Sequence, residues 1–303
     1  MNEATNMTSD WSRARQGLVG GSEVACLLGE GDGFVTEYEL YHRKRGTAPE
    51  FVVTEQMQLG TIFEPAIIDA TRVLLGWEST GWAYVDPSIL TLAPGVTYTL
   101  TERGPLLRHE CGLGGTPDGL TVIDGVLYLL ETKLATSWAL RDWPGEGEEL
   151  PTGYLCQVWT YLGLLGLAKA RVAVFSDGRL LTFEVEAHPK MFAYMCELVR
   201  VFWSCVERGI EPEPDPIRDA DTVSRRFRSV SHEGTVDRST DAAFVSLVAD
   251  YHAARGARLL AEKVEESRKT MLLHRIGDAA RVIAGPLTVS AMGGKLTVKE
   301  SRR

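Results

Sequence analysis

Cysteine is scarce in this 303-residue sequence, and long apolar runs are absent. The five cysteines are Cys26, Cys111, Cys156, Cys196 and Cys205. Their spacing contains no CxxC pair, which argues against a zinc or disulfide framework and favours reduced thiols in a cytosolic protein. No apolar run reaches the ~20 residues that span a bilayer, and the polar first residues lack the apolar core of a signal peptide. We therefore expect a cytoplasmic protein that does not insert into a membrane.

Positive charge is also in deficit. The chain carries 32 Lys and Arg against 41 Asp and Glu, a formal net charge of −9. This balance is unlike that of most nucleic-acid-binding proteins, but it does not exclude them, because a divalent-cation site adds its own carboxylates to the total. Local clustering matters more for DNA binding. Short basic clusters occur at Arg13–Arg15, Arg43–Arg45 and Arg225–Arg228, although each alone is more often a solvated face.

The hydrophobic pattern indicates alternating helices and strand hairpins. Apolar residues recur at helical spacing from Ile62 to Leu74 and again in YLCQVWTYLGLL, residues 154–165. Apolar strands flank Asp124-Gly125 and Asp177-Gly178, pairs that favour tight hairpin turns. With 44% hydrophobic and 24% charged residues, the sequence predicts an α/β (α+β) fold with a mixed central sheet flanked by helices.

From Ser239 the chain changes in character. A long charged stretch with helical periodicity follows, and we expect it to break near Gly256 because glycine is a poor helix former. A small hairpin should then turn at Gly293-Gly294. We assign residues 1–238 to the main domain and residues 239–303 to a C-terminal helical extension with a terminal β-hairpin.

The strand VLYLLETK, residues 126–133, ends in two charged side chains. Because side chains alternate faces along a strand, Glu131 and Lys133 point the same way. The hairpin at Asp124-Gly125 brings the preceding strand alongside, with Asp118 at the turn before it. Two carboxylates held together repel unless a cation or a shared proton relieves them, and Mg²⁺ takes oxygen ligands. With Lys133 orienting a water and stabilising charge on a phosphate, these residues suit metal-assisted phosphodiester hydrolysis.

Each of these features also has a plainer explanation. A Glu-x-Lys pair on a strand is common as an exposed ion pair, and Pro-Asp-Gly is usually a turn. Two residues raise the odds of a site: Glu64 in the upstream helix, and Gln157 in an otherwise apolar helix, where a buried amide must find partners. Glu64 alone would be a surface acid. Tyr154 and Tyr161, near one helix face with Gln157, would equally suit simple core packing.

The combination resembles a known superfamily. A glutamate in a helix, Pro-Asp, Glu-x-Lys and a following helix with glutamine look like the PD-(D/E)XK nucleases, and within them the chain is similar to the YqaJ-type viral recombinase and phage lambda exonuclease family. The supporting segments are WSRARQGLVGGSEVACLLG, LGTIFEPAIIDA, ETKLATSW, YLCQVWTYLGLLGLAKARVAVF and the C-terminal IGDAARVI with its closing hairpin. They cover nearly the whole chain. The resemblance implies a restriction-endonuclease-like core.

The resemblance also implies a metal site. Asp118 and Glu131 would ligate Mg²⁺, for which Mn²⁺ would substitute, and the backbone carbonyl of Thr132 would be a third protein ligand. Glu64 would bind metal directly or through water. Lys133 would position the nucleophilic water.

Four further residues complete the expected site. Gln157 would help to hold the water or the scissile phosphate, and Tyr161 is a weaker candidate. Arg15 and Ser22 match positions that form a pocket for a terminal 5′-phosphate, and a guanidinium and a helix N-terminus both suit an anion. Ser22 is also expected to cap the helix that starts there.

The implied function is a Mg²⁺-dependent 5′-to-3′ double-stranded DNA exonuclease, encoded by a phage or prophage in a bacterial host. It would act at duplex ends and leave 3′ single strands for recombination with a single-strand annealing protein. The resemblance also implies a homo-oligomer, a trimeric ring by analogy, although no residue pattern in this sequence indicates oligomerisation. The alternatives are a structure- or sequence-specific endonuclease on the same core and a non-cleaving DNA-end-binding recombination partner.

Two features depart from the family pattern. Asp118 is preceded by GGTP where SP is more usual, which should loosen a polar contact in the site. The loop RDWPGEGEEL is acidic for a surface near DNA. An iron–sulfur branch of the superfamily is rejected, because Cys196 and Cys205 lack the close group of cysteines that it needs.

Overall fold

The structure is a computed structural model that describes residues 10–29, 34–48, 53–136, 139–143, 150–231, 233–292 and 295–300. The chain divides into two compact units, Met1–Ser231 and His232–Arg303. The α-helices are α1 (Asp10–Gln16), α2 (Glu37–Arg45), α3 (Glu55–Leu75), α4 (Thr152–Leu165), α5 (Pro189–Arg208), α6 (Ala220–Ser229) and α7 (Ala242–Ile276). The β-strands are β1 (Val19–Gly20), β2 (Glu78–Gly81), β3 (Val96–Thr101), β4 (Gly104–His109), β5 (Leu113–Gly115), β6 (Gly119–Ile123), β7 (Val126–Leu134), β8 (Lys169–Ser176), β9 (Arg179–Glu186), β10 (Arg281–Ala284), β11 (Leu287–Met292) and β12 (Lys295–Glu300). Among the described residues, no helix has both the length and the apolar character needed to cross a membrane.

Local sequence signals fix the ends of the helices in the first unit. Thr36 Oγ1 accepts the Glu39 N–H at 3.0 Å before α2, and Thr54 Oγ1 accepts the Met57 N–H at 3.2 Å before α3. Such caps satisfy donors that the first helical turn leaves unpaired. Helices α2 to α5 each end at a glycine in the left-handed conformation, which costs glycine little. These glycines are Gly46, Gly76, Gly166 and Gly209.

The central sheet has five strands in the order β2-β6-β7-β8-β9. Strands β7 and β8 pair in parallel and the other neighbours pair antiparallel. Helix α4 lies in the connection between β7 and β8, as a parallel pair requires a long crossover. The predicted α/β fold with a mixed central sheet flanked by helices is confirmed.

Both predicted hairpin turns of the central sheet are present. Asp124 and Gly125 have φ values of 52° and 76°, and Asp177 and Gly178 have φ values of 46° and 78°. Positive φ at both central residues matches the right-handed twist of the flanking strands, which is why Asp-Gly favours this turn. The first turn fixes the register of β6 against β7 and thereby the strand ends that bear the acidic residues.

Helices α3 and α4 cover opposite faces of the central sheet. Leu130 of β7 is buried in a cluster with Ile67 of α3. Leu129, the neighbouring residue, belongs to a larger cluster with Leu162 of α4. Because side chains alternate along a strand, Glu131 lies on the same side as Leu129, toward α4.

A second sheet has the strand order β1-β5-β4-β3. Its strand β5 ends three residues before Asp118. A Cβ on Gly114 would stand 2.3 Å from the carbonyl oxygen of Leu107, and a Cβ on Gly115 would stand 2.8 Å from the ring of Tyr161. Only glycine permits these approaches. The unusual Gly-Gly before Thr116 therefore has a packing reason, and the Thr116 hydroxyl accepts the indole N–H of Trp11 at 3.0 Å.

The second compact unit differs from the sequence prediction in three respects. Helix α7 is continuous from Ala242 to Ile276, so the expected break at Gly256 is wrong; a single glycine lowers helix stability by only ~1 kcal/mol and lacks the steric clash of proline. Strands β11 and β12 form the predicted hairpin, and its turn residues Gly293 and Gly294 lie outside the described residues. Strand β10 extends that hairpin to a three-stranded antiparallel sheet. The unit begins at His232, seven residues before the predicted boundary.

The close packing of the central sheet gives a stability prediction. A Cβ on Gly119 would lie 2.5 Å from the Thr80 carbonyl oxygen, on the adjacent strand. Gly119→Ala should therefore destabilise the protein by ~1–3 kcal/mol, measured by urea unfolding, since overpacking forces backbone shifts.

Gly60 offers a matched control because it lies within α3 and a Cβ there would meet nothing within 4 Å. Gly60→Ala should stabilise the protein by ~0.5–1 kcal/mol through helix propensity. Equal unfolding midpoints for the two variants would contradict the assigned β2–β6 pairing.

Candidate active site

Glu131 and Lys133 meet at the end of β7. The Glu131 side chain is 1% exposed, and its Oε1 accepts a hydrogen bond from Lys133 Nζ at 2.7 Å. The Nε2 amide of Gln157, on α4, donates to the same oxygen at 2.5 Å. The predicted shared face is confirmed. An ordinary exposed ion pair is ruled out for Glu131, because its carboxylate is buried.

Asp118 stands immediately before β6 and is held by the neighbouring strand. Its Oδ2 accepts the backbone N–H of Thr132 at 2.8 Å and the Thr132 hydroxyl at 2.9 Å. Since the N–H and C=O of one strand residue point to the same side of the strand, the Thr132 carbonyl also points toward Asp118. The carboxylate of Asp118, the Thr132 carbonyl and the Glu131 carboxylate thus gather at one strand end.

Glu64 joins this group from α3. Burial raises the pKa of Glu64 to about 7, with a further rise from Asp118, while Arg103 and Lys133 act in the opposite direction. Burial likewise raises the pKa of Glu131 to about 8, followed by the repulsion of Asp118, against the attraction of Lys133. Such mutual effects require proximity, so the three carboxylates that are distant in sequence share one electrostatic environment.

Lys133 remains an ammonium in this environment. Burial lowers its pKa, but the charges of Glu131 and Asp118 outweigh burial and leave the pKa above its ordinary value. Its Nζ also lies 5.5 Å from the ring centroid of Tyr154, a cation–π distance. The side chain is 20% exposed, so this charged donor is partly accessible to solvent.

Tyr161 of α4 lies between the carboxylates and the first glycine turn of the chain. It is 5% exposed, and burial raises its pKa, with a further rise from Glu131. A Cβ on Gly21 would stand 3.3 Å from its ring. Tyr161 is therefore a buried tyrosine whose hydroxyl remains protonated and is hydrogen-bonded to Gln157.

Arg15 and Ser22 are brought together, as expected for a shared pocket. The guanidinium Nη2 of Arg15 donates to Ser22 Oγ at 3.3 Å. The capping role assigned to Ser22 is wrong: the chain forms a 3₁₀ helix at Val24–Leu28, preceded by Glu23 with no side-chain cap. Glu23 instead accepts the Gly20 N–H at 2.8 Å, and this contact shapes the turn that leaves the Ser22 hydroxyl to Arg15.

Residues outside the predicted set surround Arg15 and Ser22. Glu23 pairs with Lys44 at 2.9 Å, with both side chains largely buried. The Trp11 ring lies 5.0 Å from the Arg15 guanidinium carbon and 4.5 Å from that of Arg103. Trp11 opens the segment WSRARQGLVGGSEVACLLG, so the sequence motif already indicated this residue. Arg103 lies in the turn between β3 and β4, where no pattern in the sequence singles it out.

The donor set suits a hard divalent cation. Glu131 Oε2 is buried and has no hydrogen-bond partner among the described residues. The other donors are carboxylate and backbone oxygens, the ligands that Mg²⁺ and Mn²⁺ prefer. The carboxylates of Glu64, Asp118 and Glu131 are spread more widely than a set with all ligand atoms within 4.8 Å of one another. The residues fit a cation that keeps some of its waters.

Comparisons with known proteins show the family to which the chain belongs. The family model of the YqaJ-like viral recombinase domain matches residues 10–168. The uncharacterized protein YqaJ of Bacillus subtilis strain 168 is 24% identical over 234 residues, which cover 75% of this chain and 66% of that protein. The chain thus spans slightly less than two thirds of that relative's length. The match to more than half of the chain shows that it belongs to the YqaJ-like viral recombinase domain family.

Two solved structures are also similar in part. The alkaline exonuclease LHK-Exo of Laribacter hongkongensis is 19% identical, with a TM-score of 0.48, over 73% of this chain and 99% of that one. A structure of LHK-Exo in complex with dAMP is 19% identical, with a TM-score of 0.47 and the same coverage.

The raised pKa of Glu131 predicts how pH affects the metal-free protein. An unfolded glutamate has a pKa of about 4.3, whereas burial raises the pKa of Glu131 to about 8 in the folded state. Between these values the folded state holds more protons than the unfolded state, so the free energy of unfolding falls as pH rises. In EDTA, the urea midpoint should decline from about pH 5 to about pH 8 and then level off.

Two glutamine variants test the origin of this slope. Glu131→Gln removes the titrating group, so its midpoint should decline less over the same range. Glu186→Gln, at an exposed end of β9, should keep the wild-type slope. A wild-type urea midpoint that rises with pH across neutrality would contradict a raised pKa of Glu131 in the folded protein.

Proposed function

We propose that this protein is a Mg²⁺-dependent 5′-to-3′ double-stranded DNA exonuclease, in which Mn²⁺ can substitute. It acts at duplex ends and leaves 3′ single strands for recombination of the phage type. The observation that carries the proposal is the buried Glu131 carboxylate, paired with Lys133 and Gln157 and grouped with Asp118 and Glu64. Membership in a viral recombinase family supports a role in recombination.

The proposed metal ligands are Asp118, Glu131, the backbone carbonyl of Thr132 and, directly or through water, Glu64. A bound Mg²⁺ would supply positive charge that polarises the scissile phosphate and favours ionisation of a bound water. The unpartnered Oε2 of Glu131 supports this ligand set, because a buried carboxylate oxygen otherwise lacks compensation.

The chain's own groups would orient the reactants. Lys133 keeps its charge at the rim of the site, where its ammonium can hold the attacking water and stabilise the charge that develops on the phosphate. Gln157 is held by Glu131 and can reach the same water or phosphate through its remaining amide atoms. Tyr161 would support this arrangement by packing.

The pocket of Arg15 and Ser22 favours an exonuclease over an endonuclease. A guanidinium fork binds phosphate through charge-assisted hydrogen bonds, and only a chain end presents a terminal 5′-phosphate. Trp11 stacks on Arg15 and donates to Thr116, two residues before Asp118. This contact links the pocket to the proposed metal ligands and supports a fixed distance between end recognition and cleavage.

The remaining parts of the proposal concern partners and setting. The protein would bind duplex DNA ends, cooperate with a single-strand annealing protein and act in the cytoplasm of a bacterial host. The proposal also includes a homo-oligomeric protein, a trimeric ring by analogy with the resembling family. Light scattering of the purified chain would test that assembly directly.

The central experiment uses three DNA substrates with Mg²⁺. We expect mononucleotides from a linear duplex with a 5′-phosphate, slower release from a 5′-hydroxyl duplex, and no cleavage of a covalently closed circle. Cleavage of the circle would overturn the exonuclease in favour of an endonuclease. Binding of ends without hydrolysis in Mg²⁺ or Mn²⁺ would identify a non-cleaving end-binding protein.

Lys133→Ala tests the water-positioning role. Hydrolysis of the phosphorylated duplex should fall by at least ~10²-fold, the effect of losing one preorganised charged donor. DNA binding measured in Ca²⁺ should stay near the wild-type value. Lys169→Ala is the control, because Lys169 lies on β8 and pairs with Glu184. This control variant should keep full activity. Full activity in Lys133→Ala would show that Lys133 has no role in hydrolysis.

Arg15→Ala tests end recognition. Its ratio of hydrolysis rates on 5′-phosphate and 5′-hydroxyl duplexes should approach one, since the charge-assisted contact is lost. Arg208→Ala, in the last turn of α5, serves as the control and should preserve the wild-type ratio. A preserved ratio in Arg15→Ala would remove the guanidinium from phosphate recognition.

A further inference from the structure

Three nitrogen and sulfur donors converge where α5 packs against the corner between β4 and β5. They are His109 at the end of β4, Cys111 in the corner between β4 and β5, and Cys196 on α5. The possible ligand atoms of the three all lie within 4.8 Å of one another, and His109 Nδ1 is 3.8 Å from Cys196 Sγ. The three residues are 9%, 6% and 4% exposed, respectively. No other set of three such side chains meets this distance condition within the described part of the chain.

We propose that His109, Cys111 and Cys196 form a second metal site that binds a thiophilic divalent cation, Zn²⁺ in particular. Tetrahedral zinc with bonds of about 2.3 Å to sulfur and about 2.0 Å to nitrogen separates those two ligand atoms by about 3.5 Å. The 3.8 Å between Nδ1 and Cys196 Sγ is close to this value. A cation can therefore enter with small side-chain shifts.

The protonation of His109 suits a ligand at Nδ1. The backbone N–H of Cys111 is directed at Nδ1 at 3.2 Å, so Nδ1 carries the lone pair and Nε2 the hydrogen. That is the tautomer that metal binding at Nδ1 requires, and the cation would replace the Cys111 N–H as the partner of this lone pair. Isolated buried cysteines pack as small apolar side chains, whereas here the thiols of Cys111 and Cys196 lie beside an imidazole nitrogen.

The two sites would select different ions. Thiolate and imidazole ligands favour Zn²⁺ over Mg²⁺, and the carboxylates of the candidate active site favour the reverse. Binding of Zn²⁺ to the second site replaces both thiol protons by metal–sulfur bonds and releases them to solvent. A water would complete the four-coordinate shell.

A buried donor is available near that shell. The Nε1 of Trp203 has no hydrogen-bond partner among the described residues. It lies against the residue after Cys111, since a Cβ on Gly112 would stand 2.5 Å from it. A metal-bound water or a thiolate would give this N–H the acceptor that it lacks.

The site would join α5 to the corner that supports the Arg15 pocket. The carbonyl of Gly112 accepts the Val19 N–H at 2.8 Å, and the carbonyl of Gly114 accepts the Gly21 N–H at 3.1 Å. These bonds flank Gly20 and hold the turn before Ser22. A cation shared by Cys111 and Cys196 would fasten this corner to the helix, so zinc should raise the unfolding temperature.

The metal content of the full-length protein tests the proposal without DNA or activity. Protein purified without a metal-affinity step and dialysed against Mg²⁺ should retain about one zinc per chain by elemental analysis. Replacement by Co²⁺ should give a thiolate-to-cobalt charge-transfer band and the intense visible bands of a tetrahedral site. Titration of the metal-free protein should release up to two protons per cation from the thiols.

Matched variants separate this site from the carboxylates. Cys196→Ser should lose the zinc and the charge-transfer band, while Cys205→Ser, nine residues later on the same helix, should keep both. Glu131→Gln should also keep both, which excludes binding at the candidate active site. If Cys196→Ser does not fold, the wild-type zinc content and cobalt spectrum still decide.

Two outcomes would overturn the second metal site. The first is wild-type protein that retains no zinc and gives no thiolate band with Co²⁺. The second is a Cys111–Cys196 disulfide, seen as a mass about two daltons lower before reduction, in protein that takes no zinc after reduction. Either result leaves the nuclease proposal untouched.

Discussion

The buried charge pair of Glu131 and Lys133 is the constraint on which the rest of the candidate site depends. A carboxylate that is 1% exposed is costly to ionise unless partners compensate it. Lys133 and Gln157 satisfy one of its oxygens, and the other has no partner among the described residues. The protein alone therefore stabilises the ionised form of Glu131 only in part, which is why its pKa is raised. A bound cation would supply the remaining compensation.

The surrounding structure fixes this charge pair through register. Gly119 pairs with Leu130, so the residue before it, Asp118, lies opposite Glu131. A slip of one residue would turn Glu131 away from α4 and toward α3. The Asp-Gly turn, the double hydrogen bond from Thr132 to Asp118 and the glycine contacts at the strand end all oppose such a slip. The hydrogen bond from Trp11 to Thr116 adds a further restraint close to Asp118.

The sequence prediction was most accurate where the signal is local and periodic. The Asp-Gly turns, the alternation that places Glu131 beside Lys133, and the apolar helices on each face of the sheet follow from rules that act over a few residues. It failed where long-range contacts decide the conformation. The sequence predicts Ser22 as a helix cap, but its hydroxyl accepts a hydrogen bond from Arg15, Glu23 accepts the Gly20 N–H, and a 3₁₀ helix starts at Val24.

The sequence by itself determined the hairpins of the central sheet, the helices that flank it and the kinds of donor available, because these depend on local propensity and side-chain chemistry. Family resemblance further indicated which acids belong together. Only the tertiary structure decided that Arg103 lies near Glu64 and that His109 meets Cys196, since neither pair has a fixed spacing along the chain. It also decided the protonation of the acids, because a pKa depends on burial and on neighbours that folding brings from distant segments.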